Sequence, residues 1–368
     1  IFIKIFTIIF TIFTTLTSFA VSAPKNIILL IGDGMGYAEI ALTRAYEFNG
    51  DEGLFIDTMK NSGSVIVKQL MIDDPSKIEF TGESASGGTT ISTGNRTSSG
   101  RVAVRAEDGA HYKTILEEAQ ERGFKTGLVT TSIITDATPA SFAAHAQNRY
   151  CFTQSSSACN THNDRPIIEQ MLDQNVDVML GGGYNLLAAT VREGSTVKKK
   201  AENLGYTVVT DRKSLFDLNY GTKTLGVFSN GHMPVEWVGP GGKGADFVKV
   251  DDNRVVIFPN AAACELNPAH KGTPRLEEMS KFALESLKNE GAGFFLMIEG
   301  ASIDKQAHER KACGSIGELQ QLDEVLAVAL NFANSHPETL ILVTADHGHA
   351  AQVLPERTIY EALDVPIH

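Results

Sequence analysis

The chain has no excess of positive charge: 32 Lys and Arg face 44 Asp and Glu, a net charge of −12 over 368 residues. That balance argues against a nucleic-acid backbone as partner. It leaves small anionic substrates open, because a local cluster of cations reverses the field inside a cleft. There is no internal repeat, and no low-complexity tract beyond the N-terminal segment. Cysteine is scarce: Cys151, Cys159, Cys264 and Cys313 are the only four. Their spacing does not resemble paired CxxC knuckles, which weakens a zinc-thiolate site. An even number in an exported protein suggests two disulfides. Four cysteines permit three pairings, of which Cys151–Cys159 is the local one. What remains is ordinary: 42% hydrophobic and 21% charged residues describe a soluble globular protein. The length is enough for a large core or two domains.

Residues 1–23 differ from the rest. Ile1 to Phe13 is apolar and Thr-rich, with Lys4 its only charge. Ser18-Phe-Ala20 and Val21-Ser-Ala23 are small-residue cleavage patterns, so the segment reads as a secretory signal peptide. An uncleaved membrane anchor is the alternative, although the apolar run is short for a span.

Asn26-Ile-Ile-Leu-Leu-Ile-Gly-Asp33-Gly-Met-Gly36 organises the rest of the chain. A short, continuous apolar run rich in β-branched residues reads as a strand buried on both faces. It ends in a carboxylate set among glycines. In open α/β sheets ligands bind beyond the carboxyl ends of strands, so Asp33 is placed for a cation. A turn with Asp as a helix cap is the plainer reading. The design recurs in Gly293-Phe-Phe-Leu-Met-Ile-Glu299 and in Thr339-Leu-Ile-Leu-Val-Thr-Ala-Asp346-His347-Gly-His349. Three strands ending in acids suggest acids gathered at one edge of one sheet.

Strand-like and helix-like segments alternate. Strands are expected over 64–71, 125–131 and 176–180. Helices are expected over 38–48, 86–93, 112–122, 139–147, 166–174, 276–289 and 317–334. Thr138 is the expected cap of the 139–147 helix, with Pro139 at its first position. The alternation predicts an α/β fold, a three-layer α/β/α sandwich around a mainly parallel sheet. Residues 185–275 carry weaker periodicity and more Gly and Asn. They read as excursions that roof the site or build a subunit contact, within one domain over 24–368.

Ser84 lies in Thr81-Gly-Glu-Ser-Ala-Ser-Gly-Gly88, a glycine-rich turn opening a helix. Backbone N–H groups and the helix dipole there favour an anion. The serine lacks the G-x-S-x-G elbow, so metal activation of its hydroxyl is the alternative to a triad. The plainer reading is a helix N-cap serine. Asp304 and His308 are four apart and share a helix face, which suits zinc or a surface ion pair. Asp346-His347 adds another mixed pair. Asp33, Thr138 and Glu299 are all-oxygen candidates that suit Mg²⁺. Arg149 carries a guanidinium fork able to grip phosphate. His145 has no spacing partner and reads as structural.

Together these residues carry a resemblance. Ile31-Gly-Asp-Gly-Met-Gly36, Glu83-Ser-Ala85, Asp136-Ala-Thr-Pro139, Glu299-Gly-Ala-Ser-Ile-Asp-Lys-Gln306 and Thr344-Ala-Asp-His347 stand in family order. The chain resembles the bacterial alkaline phosphatases from about Asn26 to about Val353. The resemblance implies a secreted or periplasmic homodimer that hydrolyses small phosphate monoesters with broad specificity, using two Zn²⁺ and one Mg²⁺ per subunit. By it, Ser84 is the nucleophile that becomes phosphorylated. Asp33, Asp346 and His347 hold the zinc beside Ser84, and Asp33 bridges to magnesium, whose other protein ligands are Thr138 and Glu299. Asp304 and His308 match two ligands of the second zinc. His349 orients a zinc-bound carboxylate, and Arg149 is the phosphate clamp. Asp136 and Lys305 match the bacterial subtype. The four cysteines fall where that subtype pairs Cys151–Cys159 and Cys264–Cys313.

The chain departs from the family pattern in places. Glu83 stands where Asp is usual, which is expected to retune the Arg149 clamp. Gly87-Gly88 replaces alanine- or serine-type residues and is expected to loosen the helix start. The family's third ligand to the leaving-group zinc is a histidine in a final segment that Asp364-Val-Pro-Ile-His368 does not resemble. The chain therefore reads as truncated at its C-terminus, with weak binding of that zinc expected. A phosphodiesterase of the same superfamily and a catalytically impaired metal-binding fragment are the alternatives.

Overall fold

Asn26–Gly32 (β1) lies inside a seven-stranded sheet. A computed structural model describes residues 23–51, 53–242, 249–257, 263–288 and 291–349. The leader reading, apart from Ala23, and the C-terminal reading on His368 lie outside these residues. The other strands are β2 (Lys125–Ile133), β3 (Val178–Gly182), β4 (Thr207–Val209), β5 (Thr224–Val227), β6 (Phe294–Gly300) and β7 (Thr339–Ala345). Their order is β7-β1-β6-β2-β3-β5-β4, parallel throughout.

Why Ile27 to Ile31 of β1 form an unbroken apolar run follows from the strand's place. Leu29 and Ile31 enter a core with Ala85, Leu116, Phe142 and Ile167. Ile28 and Leu30 enter a second core with Phe282, Leu322 and Val325 on the opposite face. The first core is built by α2 (Ser84–Thr93), α3 (Ile115–Glu121), α4 (Ala137–Ala143) and α5 (Ile167–Asp173). The second is built by α6 (Leu276–Leu287), α7 (Ser302–His308) and α8 (Ala312–Ser335), with α1 (Tyr37–Phe48) against it. The result is the expected three-layer sandwich. Each fully buried Leu or Ile stabilises it by about 1.5–3 kcal/mol.

Register then fixes the acids. Ile31 pairs with Glu299, and Gly32 pairs with Ala345. Asp33 and Asp346, each one residue further on, therefore leave the sheet side by side, with Glu299 in the strand between β1 and β2.

Several elements differ from expectation. Residues 64–71 yield only the ladder Gln69–Leu70 against Ile78–Glu79. The helix expected over 112–122 starts at Ile115, because Thr114 and Glu117 cap each other. The helix expected from 317 starts at Ala312. The helix expected over 139–147 runs over Ala137–Ala143, capped by Asp136 rather than Thr138. It ends there because Ala146 pairs with Val102 in both directions, at 2.8 and 2.9 Å. Residues 185–275, read as excursions, contribute β4 and β5 to the central sheet. These strands are too short for their alternation to stand out. Both disulfides form, Cys151–Cys159 and Cys264–Cys313, with sequence separations of 8 and 49.

One buried acid on α8 makes the fold pH-sensitive. Glu318 is 1% exposed, accepts from Gln321 Nε2 at 3.0 Å, and leaves Oε2 without a hydrogen bond. Burial pushes its pKa up from 4.5 to about 7. The folded protein thus holds this proton more tightly than the unfolded chain does. The associated stability is full below the unfolded pKa and lost as pH rises through the folded one. Glu318→Gln should therefore gain stability relative to wild type between pH 5 and 8, by up to about 3 kcal/mol. Urea unfolding at the two pH values checks this; an equal difference at both contradicts it.

Candidate active site

Four carboxylates converge beyond the strand ends. Asp33 is 1% exposed and Asp346 2%. Gly34 turns the chain at φ +67°, where a side chain is strained, and its N–H donates to Asp346 Oδ1 at 3.0 Å. Glu299 on β6 accepts from Thr130 Oγ1 at 2.5 Å. α7 follows β6 almost directly and carries Asp304 and His308 on one face, Oδ1 to Nε2 3.4 Å. His349 Nε2 is 3.5 Å from the same Asp304 oxygen. His347 Nε2 lies 3.3 Å from Asp33 Oδ1 and 3.9 Å from Asp304 Oδ1. Two groups, Asp304 with His308 and His349, and Asp33 with Asp304 and His347, each bring ligand atoms within 4.8 Å of one another.

Ser84 is the first residue of α2, not its cap. Its Oγ lies 3.2 Å from Asp33 Oδ1 and 3.5 Å from His347 Nε2. The cap is Glu83, whose carboxylate accepts from the N–H groups of Ala85 at 3.0 Å and Ser86 at 2.8 Å. The anion at this helix start is the protein's own Glu83 carboxylate. Gly87 and Gly88 are buried. A Cβ on Gly87 would sit 2.6 Å from the Asp346 carbonyl oxygen, so the missing side chain lets α2 touch the end of β7.

Donors gather beside these acids. Arg149 lies in a turn beyond α4 rather than at its end, because its N–H donates to Gly100 O at 2.8 Å. Its guanidinium donates to Glu83 Oε2 at 2.7 Å and Asp136 Oδ1 at 3.1 Å. Lys305 Nζ is 3.0 Å from Asp136 Oδ2 and 3.7 Å from Asp33 Oδ2. Both cations hold Asp136 well below the usual carboxylate range despite its burial. Ser84, Asp136, Arg149, Lys305, His308 and His347 all line one cavity of about 700 Å³.

The alkaline phosphatase family model matches residues 24–359. The chain belongs to the alkaline phosphatase family. Streptomycin-6-phosphate phosphatase of Streptomyces griseus is 38% identical over 360 residues, covering 93% of this chain and 78% of that protein. Alkaline phosphatase of Escherichia coli K12 is 38% identical over 350 residues, covering 91% of this chain and 72% of the relative. The crystal structure of Thermus thermophilus alkaline phosphatase superposes with a TM-score of 0.70 at 28% identity, covering 89% of this chain and 60% of that one. Alkaline phosphatase activity, the metal-dependent hydrolysis of phosphate monoesters, is the function this membership carries.

The donor set of this phosphatase fits divalent cations. Thr138 Oγ1, Asp304 Oδ1 and Asp346 Oδ2 are buried without a hydrogen-bond partner. Burial and the neighbouring Asp33 charge push Glu299 up to about 8 and Asp304 up to about 6, and raise Asp346 well above the carboxylate range. Only Asp33 is held low, because the His347 hydrogen bond and the Lys305 charge outweigh burial. Asp33 and Asp346 in turn push His347 up to about 10 against its own burial. Acids crowded this way retain protons unless cations replace them.

The expected residues Asp33, Ser84, Glu299, Asp304, Asp346, His347 and His349 thus come together, and Asp136, Arg149 and Lys305 form the wall beside them. His145 stays apart, bonded to Ala103 O at 3.0 Å and Glu117 Oε1 at 3.1 Å. Thr130 and His232 belong to the site without being among the residues expected there. A run of Thr and Ser at the end of β2 points toward Thr130; no spacing points toward His232. Gly87→Ala should cost about 1–3 kcal/mol by overpacking. It should also lower metal retention, since the added methyl pushes on Asp346. Melting and metal analysis check this; wild-type values for both contradict it.

Proposed function

We propose that Ser84 is the nucleophile of a broad-specificity phosphomonoesterase acting through a phosphoserine. The supporting observation is the placement of Ser84 Oγ, 3.2 Å from Asp33 at the start of a helix whose capping Glu83 also holds Arg149. Asp33, Asp346 and His347 would hold one Zn²⁺. Asp304 and His308 would hold a second, with His349 fixing the Asp304 carboxylate. Asp33, Thr138 and Glu299 would hold one Mg²⁺. Bound there, these cations supply the charge that acidifies a serine hydroxyl and stabilises a departing alkoxide.

The chain's own groups do the rest. Arg149, fixed by Glu83 and Asp136, presents its fork to two phosphoryl oxygens. Lys305 adds positive charge from the same wall, kept protonated by Asp136 and Asp33. Ser84 Oγ forms a bond to phosphorus as the ester P–O bond breaks and the alcohol leaves. Water then cleaves the Oγ–P bond and inorganic phosphate departs. Recognition concentrates on the phosphoryl group, so breadth toward the alcohol is expected.

The proposal extends to setting and assembly. Residues 1–23 act as a leader, and both disulfides suit the oxidising compartment, periplasmic or extracellular, to which it leads. No helix among the described residues is long and apolar enough to cross a membrane. The protein acts as a homodimer, with the 185–275 stretch furnishing part of the contact.

Ser84→Ala should lose activity on p-nitrophenyl phosphate by on the order of a thousandfold or more while keeping its metals. Acid-stable ³²P should appear on Ser84 of the wild type. Label on another residue, or faster turnover of bis(p-nitrophenyl) phosphate than of the monoester, contradicts the proposal.

A further inference from the structure

His232 takes no part in the phosphoserine scheme, yet it faces the same space. It lies in the loop after β5 and lines the same cavity as Ser84 and Arg149. Its side chain is 45% exposed, so it fills no core. The Ile133 N–H lies 3.2 Å from His232 Nδ1. A backbone N–H can only donate, so Nδ1 accepts and the ring proton of the neutral imidazole resides on Nε2. Burial and the Lys305 charge lower the His232 pKa, which favours that neutral form. Nε2–H has no protein partner among the described residues.

The surroundings say what that donor meets. The Asp136 carboxylate lies close by, with Oδ2 3.8 Å from Nδ1, on the acceptor side of the ring. It already accepts from the Ala137 N–H at 2.9 Å and pairs with Arg149 and Lys305. Arg149, Lys305 and His232 therefore bring donors to one wall of the cavity, and Asp136 is the carboxylate that holds the first two. A group that fits such a wall is rich in acceptors and negatively charged. His308 and His349 stand together around Asp304, at the part of the site assigned to the departing alcohol.

We propose that His232 is a substrate-contacting residue whose Nε2–H donates to an oxygen of the bound phosphoryl group, beside Arg149 and Lys305. The proposal rests on the phosphatase reading of this cavity. The contact exists for ester and free phosphate alike, so it acts on binding and product release more than on bond cleavage.

The test titrates inorganic phosphate into the metal-loaded full chain by calorimetry, alongside steady-state kinetics. His232→Asn reaches only as far as Nδ1 and loses the cavity donor. His232→Gln carries an N–H to the Nε2 position. His232→Asn should weaken phosphate about tenfold and raise KM for p-nitrophenyl phosphate to match, with kcat unchanged or higher. His232→Gln should restore affinity to within about threefold of wild type. Phosphate affinity within about twofold of wild type in His232→Asn overturns the proposal. The two readings fail separately, because absent ester hydrolysis by the wild type counts against the phosphatase reading and an unchanged phosphate affinity against this one.

Discussion

Mutual repulsion among buried carboxylates is the constraint on which the rest of this structure depends. Asp33, Glu299, Asp304 and Asp346 are each 6% exposed or less, and a parallel sheet in fixed register holds them together. Folding alone does not relieve such crowding; burial and Asp33 raise the pKa of the other three acids. Two apolar cores of the sandwich supply the stability that keeps the register in place. A domain with a smaller core would open at this edge before it would hold four acids there.

A second constraint runs through Glu83. One carboxylate caps α2, accepts the Gly100 N–H at 2.9 Å and grips Arg149. It ties the position of the Ser84 hydroxyl to the position of the Arg149 guanidinium. In the phosphoserine scheme proposed above the two act together, and a displacement of either by about 1 Å would cost a large factor in rate. Asp136 plays the matching part from α4, capping that helix while holding Arg149 and Lys305. Helix caps are thus the parts that orient the chemistry.

How much of the fold and site is legible in the sequence depends on local physics. The apolar runs ending in Asp33, Glu299 and Asp346 announce buried strands, and parallel register does the rest. The spacing of Asp304 and His308 announces a shared helix face. Thr138 misleads, because Asp136 is the better cap and shifts α4 two residues toward the N-terminus. Arg149 cannot be placed from sequence, since the pairing of Ala146 with Val102 that ends the helix is a tertiary contact. Strands β4 and β5 have three and four residues, too few for a period to show. Glu83 reads as an imperfect substitute for Asp, although its reach to three backbone N–H groups follows only from the fold.

The most direct measurement compares chelator-stripped protein with the same protein given Zn²⁺ and Mg²⁺, near pH 8, by thermal melting with simultaneous proton release. If the acid cluster exists to hold cations, metal uptake should release protons from these acids. The melting temperature should then climb with metal concentration, by several degrees or more at about a hundredfold excess over Kd. An identical melting temperature with and without metal, and no proton release, would contradict the account.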